Sequence, residues 1–405
     1  MAMRVRAKPW ISIQPSVRDV LHDVAQGVVQ KEDVWVSAYI ASPARASVHT
    51  TLHVEHTSTP PQTSISNQPS DITVDTSIEP WCVSSQGDVS VPRTEVHLPV
   101  QGEEAMIHDV TTPLSVDMSI DAEGVERYVM GGAQGQLVCG SWNMGTPFAE
   151  TNSCASHQSD ITSVRFFPSG QVILATSLDM RASVVSALDG TCPRVLIGHT
   201  RAVLGSAILG RGREVATCSA DGAIRLWDVS RGETVQTWDA GVSIPSLEVS
   251  KALDSTPEDR QGVLVAGRHD GVLQGYDMRT GSAVWSHTAP MSPLGGSECA
   301  IQALAMHENT MALGTRGGVC ALYDLRAMQE PLDAWYRNTA EITCMHLTNQ
   351  RVYIGTSDGL PYSVDRDTDQ VHEYAGWDAD AISAIRTDQA GHVIITGSGR
   401  YATYR

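Results

Sequence analysis

The sequence predicts an all-β fold, a seven-bladed β-propeller with a small N-terminal β-rich domain. Residues 198–228 read GHTRAVLGSAILGRGREVATCSADGAIRLWD, with a Gly-His opening, a Ser-Ala-Asp-Gly turn and a Leu-Trp-Asp close. This pattern is typical of a WD repeat, a four-stranded blade that buries both of its faces only between other blades. Similar turns recur at intervals of 40 to 49 residues, close to the pitch of about 40–45 residues expected for one blade.

Seven turn positions define the predicted blades. They are Gln134, Asp179, Asp221, Asp270, Gly317, Asp358 and Ser398. After the last turn only one strand remains before Arg405, so an upstream segment must complete the seventh blade, because a closed propeller leaves no open sheet edge. We expect that strand to be Glu95–Val100 or the adjacent Ala105–Val110.

The complete repeat also predicts a polar relay that ties the strands of its blade together. His199 is expected to hydrogen-bond the turn carboxylate of Asp221. Ser219 and the indole of Trp227 would complete this structural tetrad.

The first 95 residues are expected to form the small β-rich domain, and residues 96–405 the propeller. Asp33–Ile40 and Ala46–His56 alternate in polarity like the two strands of a β-hairpin. Residues 57–70 are rich in Ser, Thr, Pro and Gln and predict a flexible loop.

Composition excludes several classes of protein. There is no apolar run near 18 residues and no apolar region at the N-terminus, so neither a membrane span nor a secretory signal is expected. The eight cysteines lack metal-ligand spacing and are expected to be reduced core thiols. Gly-rich phosphate loops, HExxH and Gly-x-Ser-x-Gly are absent from the sequence. We therefore expect a non-enzymatic cytoplasmic and nuclear protein without catalytic residues, cofactor or metal.

Charge points to a basic protein partner. The chain has 28 basic and 46 acidic residues, a net charge of −18, of which about −15 falls after residue 100. That sign opposes binding to nucleic acid and steers cationic protein surfaces toward the propeller.

Acidic residues precede several predicted innermost strands, so they are expected to ring one entrance of the propeller. They are Asp160, Glu298, Glu341, Asp378 and Asp380, with Arg201 as the main basic exception. Trp377, beside Asp378, would be an interface anchor. Two alternatives remain open: loop residues are polar in any protein, and Trp377 could pack against its own blade.

Two segments resemble the proteasomal ATPase-associated factor family of WD-repeat assembly chaperones. They are Arg165–Gly170 (RFFPSG) in the second blade and Gly210–Arg213 (GRGR) in the third, accompanied by the Trp35–Ser37 hairpin motif in the N-terminal domain. The resemblance is good from about Gly131 to Arg231. It departs from the usual pattern in the second blade, where Met180 replaces Gly after the turn Asp and Val185 replaces Trp.

The resemblance implies a role in assembling the base of the proteasome regulatory particle. Members of that family bind the C-terminal domain of one triple-A ATPase subunit, the sixth, and leave before or as the core particle docks. An acidic propeller face against basic ATPase residues is similar to the rim described above. Other assembly chaperones are further partners that the resemblance allows. Nucleic acid and membranes are not expected as partners, because of the acidic charge and the lack of a long apolar run.

A second function belongs to another class. Asp277-Met278-Arg279 and Asp324-Leu325-Arg326 place Arg two residues after the closing Asp of consecutive blades. This is similar to the signature of substrate receptors of cullin-RING ubiquitin ligases. A local salt bridge at the strand end would explain the same pattern.

Overall fold

Within the residues that it describes, the computed structural model is a closed ring of seven four-stranded antiparallel sheets with a small N-terminal β-rich domain beside it. The described residues are 5–41, 45–58, 63–67, 70–103, 112–121, 123–142, 149–250, 262–295 and 298–405. Each innermost strand contacts the innermost strand of the next sheet, and the seventh contacts the first. The predicted all-β propeller class is confirmed. No helix in the described part of the chain is long and apolar enough to cross a membrane.

The N-terminal region begins with a short strand and a sheet on which one helix packs. These elements are β1 (Arg6–Ala7), β2 (Trp10–Ile13), α1 (Val17–Ala25), β3 (Lys31–Ala41), β4 (Arg45–His56) and β5 (Thr63–Asn67). The order in the sheet is β2-β3-β4-β5, and β3 and β4 form the predicted hairpin. Val17, Val20 and Val24 recur at helical spacing, so they form the face that α1 buries against this sheet.

Strand β5 corrects part of the prediction of a flexible loop over residues 57–70, whose residues 59–62 and 68–69 lie outside the described residues. Its backbone pairs with β4 from Leu52 opposite Asn67 to His56 opposite Thr63. A single apolar residue, Ile65, packs against the domain core. An edge strand gains its stability mainly from backbone hydrogen bonds to its neighbour. Its polar composition therefore gave no apolar pattern from which the strand could be predicted.

Four further strands lead to the propeller. They are β6 (Ile72–Asp75), β7 (Trp81–Ser85), β8 (Val91–His97) and β9 (Gln101–Glu103). The first three form an antiparallel ribbon whose side chains join the same core as α1 and the β2–β5 sheet.

The blades follow in chain order, each from its innermost to its outermost strand. Blade one contains β10 (Pro113–Ile120), β11 (Glu126–Gly132), β12 (Gln136–Ser141) and β13 (Ala149–Ala155), with a 3₁₀ turn at Ala133–Gly135 between β11 and β12. Blade two contains β14 (Ile161–Phe166), β15 (Val172–Ser177), β16 (Arg181–Ser186) and β17 (Arg194–Ile197). Blade three contains β18 (Val203–Leu209), β19 (Glu214–Ser219), β20 (Ala223–Asp228) and β21 (Glu233–Asp239).

Blade four contains β22 (Ser246–Val249), β23 (Val263–Gly267), β24 (Val272–Asp277) and β25 (Ala283–Thr288). Blade five contains β26 (Ile301–His307), β27 (Thr310–Thr315), β28 (Val319–Asp324) and β29 (Asp333–Tyr336). Blade six contains β30 (Ile342–Leu347), β31 (Arg351–Thr356), β32 (Tyr362–Asp365) and β33 (Val371–Tyr374). Blade seven contains β34 (Ile382–Thr387), β35 (Val393–Gly397), β36 (Arg400–Tyr404) and then β9.

The strand that completes blade seven is β9, so the first predicted candidate, Glu95–Val100, was wrong. Residues 101–103 pair antiparallel with β36, and the N–H of Val100 donates to the carbonyl of Thr403 at 2.8 Å. Glu95–His97 instead pair in parallel with β33 of blade six. A segment already committed to blade six cannot reach blade seven, so closure falls to the next few residues. The other candidate, Ala105–Val110, lies outside the described residues.

The N-terminal domain joins the ring through added parallel strands. Strand β1 pairs with β29 of blade five, and β8 pairs with β33 of blade six. The boundary expected at residue 95 therefore falls inside β8. The guanidinium of Arg18 on α1 donates to the carbonyl of Val100, which links this domain to the closing strand.

A buried ion pair reinforces the same junction. The Arg337 guanidinium donates to both carboxylate oxygens of Glu373 at 2.8 and 2.9 Å, and it lies 3.4 Å from the centre of the Tyr362 ring. Glu373 also accepts the backbone N–H of Ile11 on β2 at 3.2 Å. Blades five and six and the N-terminal domain are thus held together by one buried charged network. Removing one partner of such a network destabilises the fold strongly, because it leaves the other charge buried and unpaired.

Candidate functional site

The relay of blade three shows how the turns of the ring are held. His199 Nδ1 lies 3.0 Å from the Asp221 carboxylate, as expected. The hydroxyl partner is Thr217, which lies 2.8 Å from His199 Nε2 and accepts the indole N–H of Trp227 at 2.9 Å. Ser219 was the wrong choice for this role, because its hydroxyl donates to the carbonyl of Arg201 and accepts the N–H of Asp221.

Protonation in this relay follows from the environment of each group. Burial lowers the pKa of His199, so the imidazole is neutral at pH 7. Burial alone would raise the pKa of Asp221, but hydrogen bonds from backbone N–H groups and from His199 keep it below its ordinary value. The neutral ring therefore donates Nδ1–H to the carboxylate, and the Thr217 hydroxyl donates to Nε2.

Blade two builds a shorter relay from a different strand. His157 Nδ1 contacts the Asp179 carboxylate at 3.0 Å, and His157 Nε2 lies 2.7 Å from the hydroxyl of Ser183. Ser183 stands on β16 directly opposite Ala175 of β15, whereas Thr217 of blade three belongs to the second strand. The relay hydroxyl of blade two is therefore on the third strand of the blade rather than the second, and Val185 occupies the position of the tryptophan of blade three.

These relays fix one face of the ring, which we call the upper face. It carries the turns between the second and third strands of each blade and the loops that lead into each innermost strand. Its central mouth is a cavity of about 430 Å³ lined by residues of blades one to five. Polar groups in the lining are Asp160, Thr162, Ser243, His269 and Gln302.

The predicted acidic ring is interrupted by a cation. Arg316 Nε lies 3.1 Å from Glu298 and 3.8 Å from Glu341, so it bridges the two carboxylates. Glu341 also accepts the side-chain amide of Gln302 at 2.6 Å. Asp160 accepts the backbone N–H of Gln134 at 3.0 Å, which ties blade one to blade two. Three of the five predicted carboxylates therefore have internal partners.

Asp378 and Asp380 form the open acidic part of the upper face. Both are exposed in the loop between β33 and β34. Among the described residues, their carboxylates have no hydrogen-bond or ion-pair partner within contact distance, although the Asp380 N–H donates to the Ser398 hydroxyl at 2.8 Å. This loop borders a cavity of about 110 Å³ shared with β2 of the N-terminal domain, so that domain flanks the acidic pair.

Trp377 does not stand out as an exposed anchor. Its side chain is half-buried and packs against the cluster between blades six and seven, which includes Tyr353, Tyr374 and Ile382. The second alternative stated above, packing against its own blade, describes this residue better. Arg201 is exposed at the start of the loop into β18, as the sequence indicated.

Sequence reasoning missed Arg316 and Gln302, which contact the carboxylates of the predicted acidic ring. Arg316 directly precedes Gly317, one of the seven predicted turn positions, so aligning the blades would have placed its charge on the upper face. Gln302 gave no such signal, because amides are common on strands and only its distance to Glu341 reveals the contact.

The two Asp-x-Arg motifs form local salt bridges. Arg326 donates to both carboxylate oxygens of Asp324, at 3.0 and 2.7 Å, and these contacts hold the pKa of Asp324 at about 2. Arg279 approaches Asp277 in the same way at 3.4 and 3.5 Å. Both arginines lie at strand ends, where such bridges brace the turn, so the motif is accounted for without a ligase partner.

The fold and the histidine relays together define a WD-repeat-like β-propeller protein. A family model described as outer membrane protein assembly factor BamB matches residues 128–372. That match covers more than half of the chain, and the chain belongs to this family. The matched region runs from β11 in blade one to β33 in blade six, so the shared feature is the repeated blade.

Curated relatives agree on the repeat but differ in their roles. The chain is 28% identical over 234 residues to the 26S proteasome regulatory subunit RPN14 of Saccharomyces cerevisiae, covering 53% of this chain and 54% of the relative. It is 26% identical over 257 residues to eukaryotic translation initiation factor 3 subunit I of the same organism, covering 60% and 72%. It is 27% identical over 141 residues to pre-mRNA-processing factor 17 of Mus musculus, covering 34% and 23%. The chain thus spans about half the length of RPN14.

Proposed function

We propose that this protein is an assembly chaperone of the base of the proteasome regulatory particle. In this proposal it binds the C-terminal domain of a triple-A ATPase subunit, the sixth of the base, in the cytoplasm and nucleus. The likeness to RPN14 over 53% of the chain supports a proteasome-related partner. The observation that carries the mode of binding is the carboxylate pair of Asp378 and Asp380, which is exposed and has no partner among the described residues.

The acidic pair suits a cationic protein surface for physical reasons. Exposed carboxylates that lack an internal partner remain fully available to lysine and arginine side chains. They raise the association rate and select against acidic surfaces more than they add raw affinity. The N-terminal domain beside this loop extends the docking area, and the bulk of the ring blocks access to the opposite side of the bound ATPase domain.

Charge reversal tests the proposal. The double variant Asp378→Lys, Asp380→Lys should weaken binding to the purified ATPase C-terminal domain about tenfold at low ionic strength, because two attractions become repulsions. Isothermal titration at two salt concentrations measures the effect. Salt should weaken the wild-type complex and narrow the difference between wild type and variant.

A matched control lies on the opposite face of the ring. Asp367 is an exposed carboxylate in the turn between β32 and β33, and Asp367→Lys changes the same kind of charge away from the proposed surface. This variant should bind like the wild type. Equal affinities for the double variant and the control would show that Asp378 and Asp380 are not the docking site.

A further inference from the structure

Three side chains that commonly ligate metals converge where β8 lies beside β33. Glu95 and His97 share one face of β8, and His372 stands opposite Glu95 in the parallel ladder. His372 Nδ1 lies 3.0 Å from Glu95 Oε2 and 3.4 Å from His97 Nε2. The remaining distance, from His97 Nε2 to Glu95 Oε2, is 3.8 Å. Both histidines are buried.

The spacing of the three atoms matches a coordination site. A triangle with sides of 3.0, 3.4 and 3.8 Å has a centre about 2.0 Å from every corner, which is close to the Zn–N and Zn–O bond lengths of about 2.0–2.2 Å. An ion near this centre would contact two imidazoles and one carboxylate. That donor set suits zinc and other divalent transition metals.

Neighbouring groups orient two of these donors, His97 and Glu95. The carbonyl of Arg405 lies 2.7 Å from His97 Nδ1, so that nitrogen carries the proton and Nε2 keeps its lone pair toward the cluster. Gln370 donates to the other carboxylate oxygen of Glu95 at 3.4 Å. Hydrogen bonds of this kind are the outer contacts that fix metal ligands in proteins.

The cluster also has an explanation without an ion. One proton on His372 Nδ1 would then lie between Glu95 and His97, at 3.0 and 3.4 Å from their nearest atoms.

We propose that Glu95, His97 and His372 bind one divalent transition-metal ion, which fastens β8 and the neighbouring Arg405 to blade six. The site is structural in character, because it joins three separate parts of the chain at the junction between the N-terminal domain and the ring. Sequence reasoning predicted no metal, since His97 and His372 are 275 residues apart.

Zinc and cobalt titrations of the full chain test this site. We expect one equivalent of Zn²⁺ to bind and to raise the melting temperature by on the order of 5 °C at saturation. Bound Co²⁺ should show visible bands without the near-ultraviolet absorption of a thiolate ligand. His372→Gln and Glu95→Gln should each weaken zinc binding at least tenfold, in line with the loss of a ligand (about 10–100-fold even for outer contacts).

His392→Gln is the matched control. His392 contacts the Asp388 carboxylate at 2.6 Å, and no third ligand joins them in the part of the chain that the structure describes, so this variant should keep the wild-type affinity for zinc. Failure to bind one equivalent, equal affinity in the ligand variants, or a thiolate signature in the cobalt spectrum would each overturn the proposal. The measurements use no ATPase, so they are independent of the proposed chaperone function.

Discussion

At the residue scale, the hydroxyl of Thr217 is the hydrogen-bond partner of two buried side chains in blade three. The Thr217 hydroxyl donates to His199 and accepts from Trp227, and all three side chains are buried. Valine has the same shape as threonine but can neither donate nor accept a hydrogen bond. Because the substitution leaves two buried polar atoms unpaired, Thr217→Val should lower the free energy of unfolding by about 2 kcal/mol, measured by urea denaturation.

Thr200 provides the comparison for this substitution. Its hydroxyl makes a longer contact of 3.4 Å with the same Asp221, and the residue is exposed. Thr200→Val should therefore cost less than about 0.5 kcal/mol. If the two variants were equally stable, the assignment of Thr217 to the relay would be wrong.

Met180 adopts a backbone conformation that suits glycine better. Its φ of +68° lies in the left-handed region, at the position where Gly222 stands in blade three with φ of +84°. The side chain is 44% exposed, so little packing is lost on its removal. Met180→Gly should raise the free energy of unfolding by about 0.5–1 kcal/mol, because relief of strain exceeds the added entropy of the unfolded chain. A lower midpoint of denaturation would contradict this.

At the scale of the element, small residues on the second strands let adjacent blades approach closely. A Cβ at Gly314 would lie 2.3 Å from Cγ2 of Ile342 at the start of the next blade. The same pairing joins Gly131 to Ile161 and Gly355 to Ile382. The small-residue strands noted in the sequence thus have a packing cause.

Gly314→Ala should lower the free energy of unfolding by about 1–3 kcal/mol, because neighbouring strands must shift to admit the methyl group. The double variant with Ile342→Ala separates this clash from the loss of a cavity-filling side chain. It should lose less stability than the sum of the two single variants. If the losses in free energy of unfolding were strictly additive, the methyl group at position 314 would not clash with Ile342.

The elements that the sequence revealed are those with a repeated chemical signal. The turns at Asp179, Asp221 and Asp358 and the β3–β4 hairpin follow from local patterns of polarity. The relay hydroxyl was misassigned because Thr217 and Ser219 lie on the same strand face, and only distance separates them. Strand β9 and the bridge at Arg316 depend on pairing between distant parts of the chain, which no local pattern encodes.

At the scale of the whole molecule, strands that precede the ring in the chain pair with the outer edges of three blades. Strands β1 and β8 extend blades five and six, and β9 completes blade seven. The domain therefore borders the loop that carries Asp378 and Asp380. A partner docked on this side of the upper face would contact both units.

Zero-length carbodiimide cross-linking with the purified ATPase C-terminal domain is the sharpest test of docking at Asp378 and Asp380, because it joins only carboxylates and amines that are already in contact. Asp378 or Asp380 should become linked to lysines of the ATPase domain, and added salt should reduce the yield. Absence of a complex, or links confined to carboxylates of the opposite face such as Asp367, would contradict it.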